Sequence, residues 1–157
     1  MNEYQRLIAF FKIFQCNLAV LHHNITGSGF FETGSGFFEA HEKLDRWQKE
    51  SAAYLDDLIE RGIALGYQEP TIADAVLQFQ TDVLPSDKRE RDETYQIIMA
   101  GMRTLAGMAQ ASEAIVPLDV QSKLQELQYY WNKEAGYKLA AALGKSHGHR
   151  EPDYDDD

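Results

Sequence analysis

The chain has 157 residues, a length that fits one domain with a sizeable core. Its formal net charge is -10, which argues against the general affinity for nucleic acids or anionic membranes that a basic protein has. Cys16 is the only cysteine, so no disulfide can form within the chain. Its apolar neighbours predict a small buried residue.

The sequence indicates no membrane segment and no export signal. It contains no apolar run long enough to span a bilayer. Its first residues, MNEYQRLIAFFKIF, lack the basic start and the cleavage site of a signal peptide. We therefore expect a cytoplasmic protein without a membrane partner.

The first predicted element is a long amphipathic helix. Apolar residues recur every three or four positions from Asn2 to about Thr26. His22 and His23 near its end point about 100° apart, so at most one of them can face a given site. For either histidine alone, packing or solvent exposure is the commoner role.

An identical segment, TGSGFFE, occurs twice in tandem, at positions 26–32 and 33–39. A unit this short is not a structural repeat, so we interpret it as a duplication or an insertion. Its glycines disfavour a helix through both copies and predict a lengthened connection. The added aromatic pair, Phe30 and Phe31, must be buried or make a new contact.

Two further helices are predicted after this connection. The second helix is expected from about Phe37 or Phe38 to Gly62, followed by LGYQEP. Pro70 and Thr71 are start signals for a short helix, TIADAVLQF.

A third long helix is predicted to open at Pro85, with Ser86 or Asp87, and to last to about Ala114. Methionines flank other apolar residues around this helix, which indicates core packing rather than a site for a soft metal. They are Met99, Met102 and Met108.

The fourth long helix is predicted to be capped by Asp119 and ended by Gly144. Its inward-facing residues are expected to be Leu124, Leu127, Trp131, Tyr137 and Leu143. The polar, acidic segment 145–157 is expected to be a disordered, solvated tail despite His147 and His149. The prediction is therefore an all-α domain over 1–144, a four-helix bundle with a short helix between its second and third long helices.

Two pairs of potential metal ligands lie on the second helix, His41 with Asp45 and Asp56 with Glu60. The spacing of four residues stacks both members of a pair on one helix face, where they can share an ion. Two interpretations are open. One is a solvated acidic face with a single histidine, because charged pairs at this spacing are ordinary on surface helices. The other is a site for iron, zinc or manganese.

The positions of the two pairs constrain any shared site. They lie on nearly one stripe but about 16 Å apart along the helix, too far for one metal ion. The stripe points away from the apolar side of the same helix, which is formed by Leu44, Trp47, Leu55 and Leu58. If all four side chains serve one site, the second pair must come from another copy of the helix, antiparallel across a two-fold axis.

A histidine in the first helix, followed by His41, Asp45, Asp56 and Glu60 and by the short helix, resembles the pattern of the Dps-like miniferritins. These are a branch of the ferritin-like superfamily. The resemblance extends over nearly the whole chain and is most specific in HEKLDRWQKESAAYLDDLIER. It implies a ferritin-like four-helix bundle and a homo-oligomer, a hollow dodecamer built through two-fold dimers. It also implies a ferroxidase that oxidises ferrous iron, typically with hydrogen peroxide, and stores the ferric mineral.

The resemblance also implies a ligand set. His22, His41 and Asp45 of one chain would bind iron together with Asp56 and Glu60 of the partner, and zinc could substitute for iron. In the family, the first histidine stands five residues before the glycine of a GxxFF turn. This spacing selects His22 over His23 if the first copy of the repeat is the original. Carboxylates and neutral imidazoles suit ferrous iron. The Glu-x-x-His pairs of larger ferritins do not occur in this sequence, which favours the intersubunit site.

Several departures from the family pattern bear on function. The spacing from His22 to His41 exceeds that of the family, and removing one copy of TGSGFFE restores it. His23 stands where the family usually has tryptophan. The lysine-rich N-terminal arm of DNA-binding members is missing, so we expect no direct DNA binding. Candidates for the acidic residues that line the iron pores of the family are Glu113, Asp119 and Glu126.

The duplication supports a second hypothesis. In it, the chain is a structural cage or bundle subunit whose assembly is altered by the longer connection and whose metal site is impaired.

Overall fold

The computed structural model describes residues 1–26 and 35–147, and within these ranges it contains α-helices and no β-strand. The helices are α1 (Glu3–Asn24), α2 (Ser35–Ala64), α3 (Ile72–Gln78), α4 (Arg91–Ser112), α5 (Leu118–Lys133) and α6 (Ala140–His147). Short 3-10 helices, Gln80–Asp82 and Glu113–Ile115, follow α3 and α4. A π-helical segment, Glu134–Leu139, joins α5 to α6. None of the described helices is long and apolar enough to cross a membrane.

The long helices pack around one core. α1 packs against α2, α3 and α4, and α4 packs against α5 and the π-helical segment. Side chains of α2 and α5 close the remaining side, where the rings of Tyr54 and Tyr130 are 5.1 Å apart and the Tyr130 hydroxyl donates to Glu50. The predicted all-α bundle is therefore confirmed. Its largest fully buried side chains include Trp47, Trp131, Tyr4, Tyr95 and Phe11.

α1 begins as its sequence predicts. The Asn2 side chain accepts a hydrogen bond from the Gln5 backbone N–H, and the Asn2 backbone N–H donates one to the Gln5 side chain, which forms a capping box. The prediction that Cys16 is buried is wrong, because its side chain is exposed. Cys16 lies two residues from each of two buried neighbours, Phe14 and Leu18, so it points about 160° away from them.

α2 is longer than predicted at both ends. It begins at Ser35, inside the second copy of TGSGFFE, and continues past Gly62 to Ala64. A Cβ at Gly62 would lie 2.8 Å from a ring carbon of Tyr4, so this glycine permits close packing of α2 on α1. The chain turns instead at Gly66, whose φ of 82° is left-handed. Residues 27–34, with Phe30, Phe31 and most of the predicted connection, lie outside the described residues.

The start of the short helix is confirmed, since Thr71 caps α3 through its side chain. The predicted start of the third long helix at Pro85 is wrong, because α4 begins at Arg91. Arg89 pairs its backbone with the chain that leaves α1, accepting from Thr26 at 2.8 Å and donating to Asn24 at 3.2 Å. This short parallel bridge keeps the chain extended up to Glu90.

The methionines of α4 confirm the core-packing interpretation. Met102 is fully buried, and Met99 and Met108 are partly buried against the core. The α-helix ends at Ser112, two residues before the predicted end.

The ends of the last helices differ from the prediction. Pro117 occupies the cap position of α5, so Asp119 lies in the first turn instead of capping it. Gly144 does not end the helix, which continues to His147 because this glycine keeps a negative φ. Residues 145–147 are therefore helical, and the rest of the predicted tail, with His149, lies outside the described residues.

The π-helical segment changes which residues face the core. Tyr137, predicted to face inward, is 71 % exposed, whereas Leu139 is buried. A π-helical turn contains an extra residue, so it rotates the following side chains relative to an uninterrupted α-helix. The charged residue Glu134, which opens the segment, follows the buried Trp131 by three residues on the same helix face, and its relative exposure is 3 %.

Candidate metal site

The last turn of α1 and the start of α2 bring two histidines together. The ring centroids of His22 and His41 are 4.2 Å apart, with 54° between the ring planes. His23 is exposed and stacks on His22 at 5.5 Å. Of the two adjacent histidines, His22 is therefore the one that contacts both His41 and the interior.

A hydrogen bond fixes the chemistry of the His22 ring. Its Nδ1 lies 2.9 Å from the side-chain oxygen of Gln48, which can only accept, so Nδ1 carries the proton. Its Nε2 is buried and has no hydrogen-bond partner among the described residues. When the ring is neutral, this hydrogen bond leaves the lone pair on Nε2, which is the arrangement that metal-binding histidines commonly adopt.

Asp45 lies near the two rings but is engaged elsewhere. Its carboxylate accepts a hydrogen bond of 2.8 Å from Lys49. This bond holds the pKa of Asp45 below its usual value, and positive charge on His22 or His41 would lower that pKa further. Within the described part of one chain, no three His, Cys, Asp or Glu side chains converge to form a metal-binding group.

Asp56 and Glu60 lie further along α2 and are exposed. Neither has a hydrogen bond or an ion pair with another described residue, whereas the adjacent Asp57 pairs with Arg61 at 2.9 Å. α2 runs from Ser35 to Ala64, so the two pairs stay about 16 Å apart along it. One chain therefore brings His22, His41 and Asp45 into one neighbourhood and leaves Asp56 and Glu60 away from it.

The sequence interpretation missed two residues beside the histidines. Gln48 orients His22, and Lys49 holds Asp45. Gln48 follows Asp45 by three residues on the stripe of His41, so the helical spacing could have identified it.

Two of the three candidate pore residues have local partners. Glu113 accepts a hydrogen bond of 2.7 Å from Gln125, and Glu126 lies 3.4 Å from Lys123. Asp119 is exposed in the first turn of α5.

Comparison with protein-family models finds none that matches the chain, and comparison with curated proteins finds no match. The geometry of the described residues is therefore the ground for the functional proposal.

Proposed function

We propose that this protein is a subunit of a ferritin-like cage of the Dps-like kind, which oxidises ferrous iron with hydrogen peroxide and stores the ferric product. The proposal includes a homo-oligomer with iron sites shared between two-fold related subunits, in the cytoplasm. The observation that carries it is the pair His22 and His41, in which the Nε2 of His22 is buried and has no hydrogen-bond partner among the described residues.

The buried nitrogen supports a ligand role because an unpaired polar atom in the interior is unfavourable. Burying a hydrogen-bonding group without a partner costs about 1–3 kcal/mol. A histidine that served packing alone would gain from a partner at each ring nitrogen. Among the described residues His22 has one at Nδ1 only, so a ferrous ion at Nε2 would supply the missing interaction.

The two remaining carboxylates support a shared site. Asp56 and Glu60 are exposed and unpaired within the described chain, as expected of side chains that a partner subunit would use. An antiparallel second copy of α2 would bring them opposite His41 and Asp45 of the first chain. Three carboxylates and two imidazoles would then surround the substrate ions, a donor set that suits ferrous and ferric iron.

The reaction is balanced by iron and peroxide alone. Two ferrous ions each release one electron, and the O–O bond of one hydrogen peroxide accepts both and breaks into two hydroxide ions. The carboxylates stabilise the added positive charge of the ferric product. Lys49 holds one of the two carboxylate oxygens of Asp45, so it competes with the substrate for that oxygen.

The double variant Asp56→Ala/Glu60→Ala tests the site. We expect the rise of ferric absorbance after addition of ferrous iron and peroxide to slow by more than tenfold, because these side chains would be direct ligands. Gln48→Leu should slow it by about 10–100-fold through loss of the His22 orientation. Glu42→Gln, an exposed carboxylate change on the same helix, should leave the rate unchanged.

Light scattering on a sizing column must accompany these rates, so that loss of oxidation is separated from loss of assembly. If the double variant assembles and oxidises iron at the unchanged rate, the proposed ligand set is wrong. Zinc added before iron should inhibit oxidation by the unmodified protein, because it would occupy the same donors.

The tandem duplication favours a second candidate, a cage or bundle subunit with altered assembly and an impaired site. The second copy contributes Phe38, which is 70 % exposed at the start of α2, and Phe37, whose ring lies 5.5 Å from His41. An exposed aromatic side chain beside the site is a potential contact for another subunit.

Deletion of one TGSGFFE copy distinguishes the two candidates. If the subunit counts of the full chain and the deletion variant are both about twelve, as the resemblance implies, the first candidate stands. If only the deletion variant reaches that count and oxidises iron, the second candidate is correct.

A further inference from the structure

A pocket lies between α2, α4, the π-helical segment and α6, and the proposed iron chemistry does not use it. Its volume is about 530 Å³, which is in the range of small-molecule sites. The rings of Trp47 and Tyr95 form its base, with their centroids 5.9 Å apart, and both residues are almost fully buried. The pocket is therefore a built cavity with an aromatic floor.

The charge of this pocket is opposite to that of the whole protein. Its lining includes four cationic side chains and two carboxylates, Glu39 and Glu134, in a chain whose formal net charge is -10. The cationic residues are Lys43, Arg46, Arg91 and Lys138. They come from three different elements, so the chain fold, and not one charged helix face, collects them.

Glu134 holds two of these cations, Arg46 and Lys138. It is 3 % exposed, and its carboxylate accepts from Lys138 at 2.9 Å, from Trp47 at 3.3 Å and from Arg46 at 3.5 Å. Glu134 follows the buried Trp131 by three residues, which places its carboxylate on the inward face of the helix. A buried carboxylate with three donors holds the two cationic side chains at the pocket wall.

Donor capacity remains after these contacts. Arg46 uses one nitrogen towards Glu134, and a guanidinium carries five N–H groups. Lys138 has three N–H groups, of which one is used there. Lys43, which pairs with Glu39 at 3.0 Å, lies 5.9 Å from the centroid of the Tyr95 ring, so a third cation borders the aromatic floor.

We propose that this pocket binds a small molecule that carries a phosphate group next to an apolar or aromatic part. Arg46 and Lys138 bind the phosphate, because a guanidinium presents paired N–H groups that match phosphate oxygens. The apolar part lies against Trp47 and Tyr95. A bare phosphate ion would leave most of the volume unfilled, so the ligand is larger than the ion alone.

Phenyl phosphate is a suitable probe, because it carries a phosphate group on an aromatic ring. We expect calorimetry of the full-length protein, free of iron, to show saturable binding of phenyl phosphate at one site per chain. Inorganic phosphate should bind about tenfold more weakly, and phenol should show no saturable binding. Added sodium chloride should weaken binding, since the contacts are ionic.

Variants assign the binding to this pocket. Arg46→Ala and Lys138→Ala should each weaken phenyl phosphate binding by about tenfold, the effect of one charge-assisted hydrogen bond. Arg103→Ala and Lys88→Ala, exposed cations outside the pocket, should bind as the unmodified protein does. If loss of the Glu134 contacts unfolds these two variants, Lys43→Met tests binding at the pocket in their place.

Three outcomes would overturn the proposal: absence of saturable binding, equal weakening by the pocket and control variants, or binding of phenol as tight as that of phenyl phosphate. Iron oxidation is measured separately. Retained oxidation with lost phenyl phosphate binding in Arg46→Ala would show that the two sites are independent.

Discussion

Lys49 is the residue most directly opposed to metal binding by Asp45. It is 76 % exposed and bonds Asp45 at 2.8 Å, and the helix spacing of four residues favours this pair. An exposed ion pair of this kind contributes little to stability. Its main effect is on the carboxylate, whose pKa it lowers.

We predict that Lys49→Ala raises the pKa of Asp45 towards its ordinary value of 3.8, because the strongest cause of the lowered pKa is lost. The titration can be followed by NMR of the labelled carboxyl carbon in metal-free protein. Lys88→Ala, which changes an exposed lysine elsewhere, should leave the titration of Asp45 unchanged. An unaltered Asp45 pKa in Lys49→Ala would show that Lys49 does not hold this carboxylate in solution.

The linkage of this pair to stability has a definite sign. A carboxyl group whose pKa is lowered in the folded state stabilises the fold at pH values above its ordinary pKa. This stabilisation is lost as the pH falls from the ordinary pKa through the folded-state pKa. Lys49→Ala should therefore make unfolding in mild acid slightly less dependent on pH.

At the scale of the helices, hydrophobic periodicity predicted the elements well and their ends poorly. Leu44, Trp47, Leu55 and Leu58 all lie in the core, as their spacing requires. The start of α4 could not be read locally, because Arg89 is held extended by backbone atoms that are distant in sequence. Local hydrophobic periodicity does not predict tertiary contacts of this kind.

The candidate site shows the same division. The spacing of His41 and Asp45 predicted a shared helix face, and the structure brings both near His22. The burial of the His22 Nε2 depends on packing, and the burial of Leu139 instead of Tyr137 depends on the π-helical segment. No α-helical pattern predicts a segment that departs from α-helical spacing.

The close packing of α2 on α1 can be tested by substitution of Gly62. Gly62→Ala should destabilise the protein by about 1 kcal/mol, because overpacking costs about 1–3 kcal/mol and exceeds the gain in helix propensity of about 1 kcal/mol. The added Cβ would meet the buried Tyr4 ring, whose hydroxyl is tied to the Leu58 carbonyl.

Gly107→Ala is the control, since a Cβ at this position of α4 has no neighbour within 4 Å. It should stabilise the protein by about 0.5–1 kcal/mol through helix propensity alone. Chemical denaturation measures both free energies of unfolding. Stabilisation by both substitutions would contradict the close contact between Gly62 and Tyr4.

At the scale of the whole molecule, buried tyrosines link stability to alkaline pH. Burial raises the pKa of Tyr95 to about 12 and raises the pKa values of Tyr4 and Tyr130 as well. The hydrogen bond to Glu50 adds to the effect at Tyr130, because it favours the protonated hydroxyl. All three tyrosines therefore keep their protons more firmly in the folded state.

The sign of the pH dependence follows from these raised pKa values. In the unfolded chain tyrosine ionises near its ordinary pKa of 10.0, whereas in the folded protein it remains neutral to higher pH. The stabilisation is complete below that pH and is lost as the pH rises through the folded-state values. The protein should therefore unfold at lower denaturant concentrations as the pH rises above about 10.

Tyr130→Phe should make this alkaline decline shallower, because one raised pKa is removed, while it lowers stability near neutral pH by about 1 kcal/mol through loss of the Glu50 hydrogen bond. Tyr129→Phe is the matched control, since the neighbouring ring is 69 % exposed and should leave the decline unchanged. Urea unfolding midpoints measured from pH 8 to 11 compare the three proteins. Equal slopes for both variants would mean that Tyr130 is not protected from ionisation, and the α2–α5 contact that buries it would have to be looser than its 5.1 Å ring separation from Tyr54 indicates.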